Sequence, residues 1–551
     1  MSTAAFAVKG AKRAKARDAL IPKDLWVAEK DLPPKDQKSV VGVIAPTLSK
    51  KEAEIISITD VTALLVKIHS RELSSLEVVQ AYSKQAILSQ QLVGCLTETM
   101  IPEAYERAKA LDEKLAKTGK PVGPLHGLPI SLKDQFHIQD YELNIGYVSR
   151  VGTVSNRHCT LVSLLLQAGA VFYVRTNLPQ NIMRGEVDNF VYGLTTNPSN
   201  RTLTPGGSTG GEGALLAMRG SPLGVGTDIG GSVRIPAAFC GIWSHRPSYH
   251  RIPYQWSANS MLGQEAVPSV IGPMSSSYSG LVEFMKGVAS QEPWLHDPLI
   301  LEKPWNEAAF EAPSKKGRLS FAMMWNDGIT RVHPPITRAQ KSLQAALTAA
   351  GHEVIDWKPE NHVEGTAILD IIYKADGGKD IRDECEASGE PILPGLGEGA
   401  SKHLTVWESW QLNQRRDAYR KTYLDAWNNS ASKTSTGRAV DAIISPVAPF
   451  VAAVLTENDN LDYTSIWNLL DYPAVVFPTG LRVDPKIDTG NMTGEPIAGE
   501  RDKVNASRWE EHGAAGYENA PIGLQVVGRR GREEEILGIG KIIGTAIKQI
   551  S

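Results

Sequence analysis

Twice along the chain a helix-like stretch runs into a glycine and then into a short apolar run. Cys159–Ala168 leads through Gly169 to Val171–Val174, and Thr337–Ala350 leads through Gly351 to Val354–Trp357. Glycine tolerates the left-handed conformation that closes a helix, and a short β-branched or aromatic run after it reads as a buried strand. Further strand candidates stand at Leu319–Met323, Ala442–Ile444 and Val475–Phe477. Strands alternating with helices predict an α/β fold with a mixed sheet. No repeat recurs at a fixed period.

Other stretches fit around that frame. Ile56 to about Leu92 reads as largely helical, with Ser74-x-x-Glu77 as a capping box, and Glu103–Leu115 as a second helix. Residues 1–55 read as an extended or helical arm broken by Pro22, Pro33, Pro34 and Pro46, which leaves 56–551 as the main domain. The basic run in the arm (Lys9, Lys12, Arg13, Lys15, Arg17) reads as solvated, or as an address or membrane contact. Glu457–Asp462 and 484–509 read as surface insertions. In Ser409–Trp427, Leu412, Tyr419, Tyr423 and Trp427 share one helical face, which suits either core packing or the wall of a substrate channel.

Composition narrows the partners. The net charge is −3, with 22% charged residues, so nucleic acid and anionic membranes are not expected as main partners. No apolar stretch reaches the ~18 residues of a spanning helix. The four cysteines form no CxxC pair, which predicts free thiols in a reducing, cytoplasmic setting. No HExxH, Cys/His cluster or calcium loop is present, so no metal is expected.

Three polar residues sit in segments suited to chemistry. Ser232 ends Asp228-Ile-Gly-Gly-Ser232, just before a helical stretch, Val233–Gly241. The amides of Ile229, Gly230, Gly231 and Ser232 could hold an oxyanion, worth ~3–4 kcal/mol per donor, while Ser232 attacks. An ordinary Gly-Ser turn is the plain alternative. Ser208 lies in the second glycine-rich loop, Thr204–Gly213, which reads as a turn or a phosphate cradle. Glu212 stands where a phosphate loop needs Lys followed by Ser or Thr, and would repel phosphate. Lys133 follows the apolar run Leu128–Leu132. It could serve as a base only if burial lowered its pKa from ~10.4 toward neutrality. Of twelve histidines none has triad-like spacing; His126 reads as a structural hydrogen-bonding residue.

These features resemble the amidase signature family. Thr204–Gly241 reads TPGGSTGGEGALLAMRGSPLGVGTDIGGSVRIPAAFCG, and Gly123–Gln135 carries the lysine motif. Thr176–Gln180, Gly193–Pro198, Val267–Met274, Asp441–Pro449 and Ala520–Arg529 also match, so the similarity spans roughly residues 55–550. Pro293-Trp294, Ala375-Asp-Gly377 and Ser388–Pro391 are shared with fungal acetamidases. The resemblance implies a single α/β domain, with a twisted mixed central sheet surrounded by helices, and a Ser-Ser-Lys triad without cofactor. Ser232 would be the nucleophile, Ser208 the bridging serine after a cis peptide from Gly207, and Lys133 the base. Gly207, Thr209, Asp228 and Arg234 would support them.

The chain departs from the family pattern at Thr209, at Ser244-His-Arg-Pro247, and at Met183-Arg-Gly-Glu186, near where the family binds the acyl group. Ile182, Met183 and Trp243 are candidate pocket residues. The implied activity is hydrolysis of small aliphatic amides to acid and ammonia or amine. Carbamate or ester hydrolysis, an amidotransferase subunit and a catalytically silent scaffold are alternatives. The absence of an N-terminal hydrophobic helix argues against a membrane anchor, and the family allows a homodimer.

Overall fold

A computed structural model describes residues 4–395, 402–492 and 498–550. Eleven strands form one sheet: β1 (Leu96–Thr99), β2 (Pro129–Lys133), β3 (Val171–Thr176), β4 (Leu223–Asp228), β5 (Trp243–Arg246), β6 (Val270–Ser275), β7 (Ser320–Met323), β8 (Glu353–Asp356), β9 (Ala442–Pro446), β10 (Ala474–Arg482) and β11 (Pro521–Val527). Their order is β1-β3-β2-β4-β6-β5-β10-β11-β9-β7-β8. Pairing is parallel for β3–β2–β4 and β9–β7–β8, and antiparallel elsewhere. The mixed α/β architecture expected from the alternating pattern is therefore the one observed, with helices packed around the sheet.

The local signals act as their chemistry requires. Ser74 and Glu77 form a reciprocal capping box on the helix Ser75–Val93, which ends on left-handed Gly94. Gly169 has φ +95°, and a Cβ there would lie 2.6 Å from His126 Cα, so no other residue fits between helix and strand. The long helix spans Val406–Asn429. Its Tyr419, Tyr423 and Trp427 pack among Trp357, Trp467 and Tyr472, so that face is core.

Two surface readings need correction. The basic run of the arm is not wholly solvated. It forms the helix Ala5–Ala19, which buries Arg13 and Arg17. Arg13 pairs with Glu98 at 2.5 Å and with Glu142 at 2.9 Å, while Arg17 donates to the Leu96 carbonyl and Tyr192 lies under both guanidinium groups. Buried cations require such partners. The segment 457–462 also folds inward: the Thr456 and Asn458 amides donate to Glu186, each at 2.9 Å. Of 484–509, residues 493–497 lie outside the described residues; the helix Glu500–Gly516 buries Asp502, Asn505 and Trp509 against the body. Among the described residues no helix is long and apolar enough to cross a membrane.

Candidate active site

The last residue of β2 is Lys133, with β3 and β4 on either side, and its side chain is fully buried. Its Nζ lies 2.7 Å from Ser208 Oγ and 2.9 Å from Thr227 Oγ1, and Thr227 in turn donates to Gln135 Oε1 at 2.7 Å. Loss of hydration disfavours the ammonium form, pushing Lys133 down to about 7 against the opposing pull of Asp228 and Glu212. The burial that a base would need, invisible in the sequence, is present here.

Glu212 is a neighbour whose role the sequence did not suggest beyond excluding phosphate. Strand alternation puts Ser131 and Lys133 on one face of β2. Over that face the Glu212 carboxyl accepts from Ser131 Oγ at 2.6 Å and Thr176 Oγ1 at 3.0 Å. A Cβ on Gly224 would come within 2.2 Å of Glu212 Oε2, so the glycine makes room for it. Burial pushes Glu212 up to about 8, with its hydrogen bonds and Lys133 pulling the other way. The same dry environment thus favours the neutral forms of both groups. A lone glutamate in the otherwise apolar helix Gly210–Ala217 was the available signal.

The two glycine loops meet above Lys133. Gly207 passes so close to the preceding loop that a Cβ would lie 2.6 Å from the Arg184 carbonyl oxygen, and the Gly207–Ser208 peptide is cis. The Thr209 amide donates to the Ser232 carbonyl at 3.2 Å, tying the loops together. Thr209 keeps a hydrogen bond from its hydroxyl, to the Thr227 carbonyl at 3.3 Å. Its extra methyl lies over Gly226, where a Cβ would come within 2.4 Å. Among the described residues the Ser208 and Ser232 hydroxyls share no hydrogen bond.

The turn before Ser232 is built around a buried ion pair. The Asp228 carboxylate accepts from Arg234 Nε and Nη2, both at 3.0 Å, from Asn468 Nδ2 at 2.8 Å, and from the Gly231 amide at 2.8 Å. Burial alone would raise its pKa, but the Arg234 guanidinium and these donors hold it down at about 2. Arg234 also donates to the Thr464 carbonyl and to Gln525. From the other side Tyr373 Oη donates to the Ile229 carbonyl at 2.7 Å, and Thr464 Oγ1 to that of Gly230 at 2.6 Å. In a trans peptide the N–H points opposite the C=O. Tyr373 thereby directs the Gly230 amide away from itself, and Thr464 directs the Gly231 amide toward Asp228. Of the four expected donors, Gly231 is committed to Asp228, whereas the Gly230 and Ser232 amides have no partner among the described residues. Tyr373, Thr464 and Asn468 were not found from sequence, because each lies more than 140 residues from the turn. Asp228→Ala is expected to cost about 3–5 kcal/mol, since it strands the buried Arg234 charge. Urea unfolding tests this; a loss under about 1 kcal/mol would show the pair is not holding the turn.

A small pocket opens beside Ser232, lined by Ile182, Met183, Arg184, Ile229 and Tyr373 among others. Ile182 and Met183 are where the resemblance placed them. Trp243 is not. It stands in β5 with its ring 5.4 Å from Tyr278 and 6.3 Å from Phe477, and belongs to the core. Ser244-His-Arg, one of the departures from the family pattern, lies in the same buried strand. His245 faces the Ala474 carbonyl at 3.1 Å, and burial lowers it to about 4. His126 accepts the Val122 amide at 3.0 Å and touches neither Lys133 nor Ser208.

The family model described as "Amidase" matches residues 77–537. The chain is 39% identical over 545 residues to an acetamidase of Emericella nidulans, covering 97% of each chain. It is 40% identical over 491 residues to Amidase 1 of Gibberella moniliformis, covering 88% of this chain and 92% of that one. Among solved structures it superposes on a fatty acid amide hydrolase with a TM-score of 0.89 and 34% identity, covering 98% of this chain and 94% of the other.

Proposed function

Because this chain belongs to the amidase family, we propose that it is a serine amidohydrolase that cleaves the C–N bond of small, mainly aliphatic amides, in the manner of the acetamidase it resembles. The observation that carries this reading is the buried Lys133–Ser208 contact of 2.7 Å beneath a pocket that contains Ser232. In the proposed sequence neutral Lys133 takes the Ser208 proton as Ser208 takes that of Ser232. Ser232 Oγ attacks the amide carbonyl, and the Gly230 and Ser232 amides, with that of Ile229, stabilise the oxyanion. The relay reverses to protonate the leaving nitrogen. Water then enters by the same relay and releases the carboxylic acid. The two serine hydroxyls share no hydrogen bond in the resting structure, and such contacts commonly tighten when substrate binds.

The lysine sets the pH profile. Only its free-base form can accept a proton, and with a pKa of about 7 that fraction grows tenfold per pH unit below neutrality and saturates above it. The expected kcat/KM therefore rises with unit slope from pH 5 toward about 7 and then levels. A rate that fell over that interval would exclude a neutral amine as base. The function itself is tested by ammonia release from acetamide, longer aliphatic amides, benzamide and ethyl carbamate. Release from the aliphatic amides is expected, and none from any of the four kinds would refute the reading.

A further inference from the structure

Arg184 is the one basic residue among those lining the pocket beside Ser232. Its position falls in Met183-Arg-Gly-Glu186, where the sequence departs from the pattern it otherwise follows. The surrounding walls, Ile182, Met183, Ile229 and Leu461, are apolar. Among the described residues Arg184 Nη1, itself buried, has no hydrogen-bond partner, and Arg184 makes no ion pair. Glu186 and Asp188 both feel its charge, but neither pairs with it. Glu186 is instead occupied by the Thr456 and Asn458 amides, and Asn458 Nδ2 donates to the Gly185 carbonyl at 2.5 Å. The turn that carries Arg184 is therefore clamped, and its stem lies against Gly395, where a Cβ would come within 2.9 Å of Arg184 Cγ.

An unpaired guanidinium nitrogen out of water is unfavourable, and such groups need a reason. In a pocket with largely apolar side walls, a cation beyond the reacting serine and its amides can orient the far end of a ligand. Guanidinium recognises a carboxylate by two parallel hydrogen bonds, more strongly than it does a neutral acceptor.

Building on the amidohydrolase reading, we propose that Arg184 selects amides whose acyl chain ends in a carboxylate, the ω-amic acids, by pairing with that carboxylate while the amide lies at Ser232. Hydrolysis of such a substrate takes up one water and yields a dicarboxylate and ammonia.

The test compares malonamate, succinamate and glutaramate with neutral counterparts such as levulinamide (the uncharged analogue of succinamate), in wild type, Arg184→Gln and Arg184→Lys. Wild type is expected to favour the best amic acid over its neutral counterpart by about 10- to 100-fold in kcat/KM, the range of a charge-assisted hydrogen bond. Arg184→Gln should lower kcat/KM for the best amic acid about 10- to 100-fold more than for its neutral counterpart, mainly through KM, so that the preference is erased; Arg184→Lys should keep part of it. Wild type that prefers neutral amides, or a glutamine variant that loses both classes equally, would overturn the proposal and leave the amidase reading standing. Turnover of neither class would sink both. If the variants do not fold, competition in wild type decides: succinate should inhibit neutral-amide hydrolysis about 10-fold more strongly than butyrate, and equal inhibition would overturn the proposal.

Discussion

Ser232→Ala is expected to abolish amide hydrolysis while leaving the protein folded. The Ser232 side chain is only partly buried at the pocket wall and makes no hydrogen bond among the described residues, while its carbonyl still receives the Thr209 amide. Its removal therefore takes away a nucleophile and little else. Loss of a nucleophile from a serine relay costs about 10⁴–10⁶-fold in kcat. Ammonia release by the variant, with circular dichroism and an unfolding curve matching wild type, checks this. Residual activity above about 1% in a folded variant would mean that Ser232 does not attack.

Lys133→Met should lower kcat by about 10³–10⁴-fold, since one group is asked to act as base in acylation and as acid for the leaving nitrogen. Methionine fills much of the same volume, and an unbranched apolar side chain suits a site that already disfavours charge. Thr227 keeps its hydrogen bond to Gln135, so the loss of stability should stay below about 1.5 kcal/mol. The variant should also lose the rise in rate between pH 5 and 7. A folded variant within tenfold of wild type at pH 8 would require another base, and His126, tied to Val122, is not placed to be it.

Much of the fold was legible because its signals are short-range. The capping box at Ser74–Glu77 and the left-handed glycines at 169 and 351 work through neighbours a few residues away. Errors arose where a residue's environment is made by distant chain. The basic run of the arm looks like any solvated segment until Glu98 and Glu142 are brought beneath it. Trp243 follows the nucleophile motif closely in sequence, yet strand pairing turns it to the side of the sheet where Tyr278 and Phe477 pack.

The sequence by itself determined the α/β class, through hydrophobic periodicity, and the family, through motifs matched residue by residue, because both are local properties of a chain; the resemblance also pointed to Lys133, Ser208 and Ser232. Only the tertiary structure decided what those residues can do. Burial at the end of β2 strips water from Lys133, and Tyr373 and Thr464 turn the peptides before Ser232. Loop 456–458 holds the Arg184 turn against the pocket. Hydration and peptide orientation depend on which atoms surround a group in space, and here those atoms come from segments dozens to hundreds of residues away.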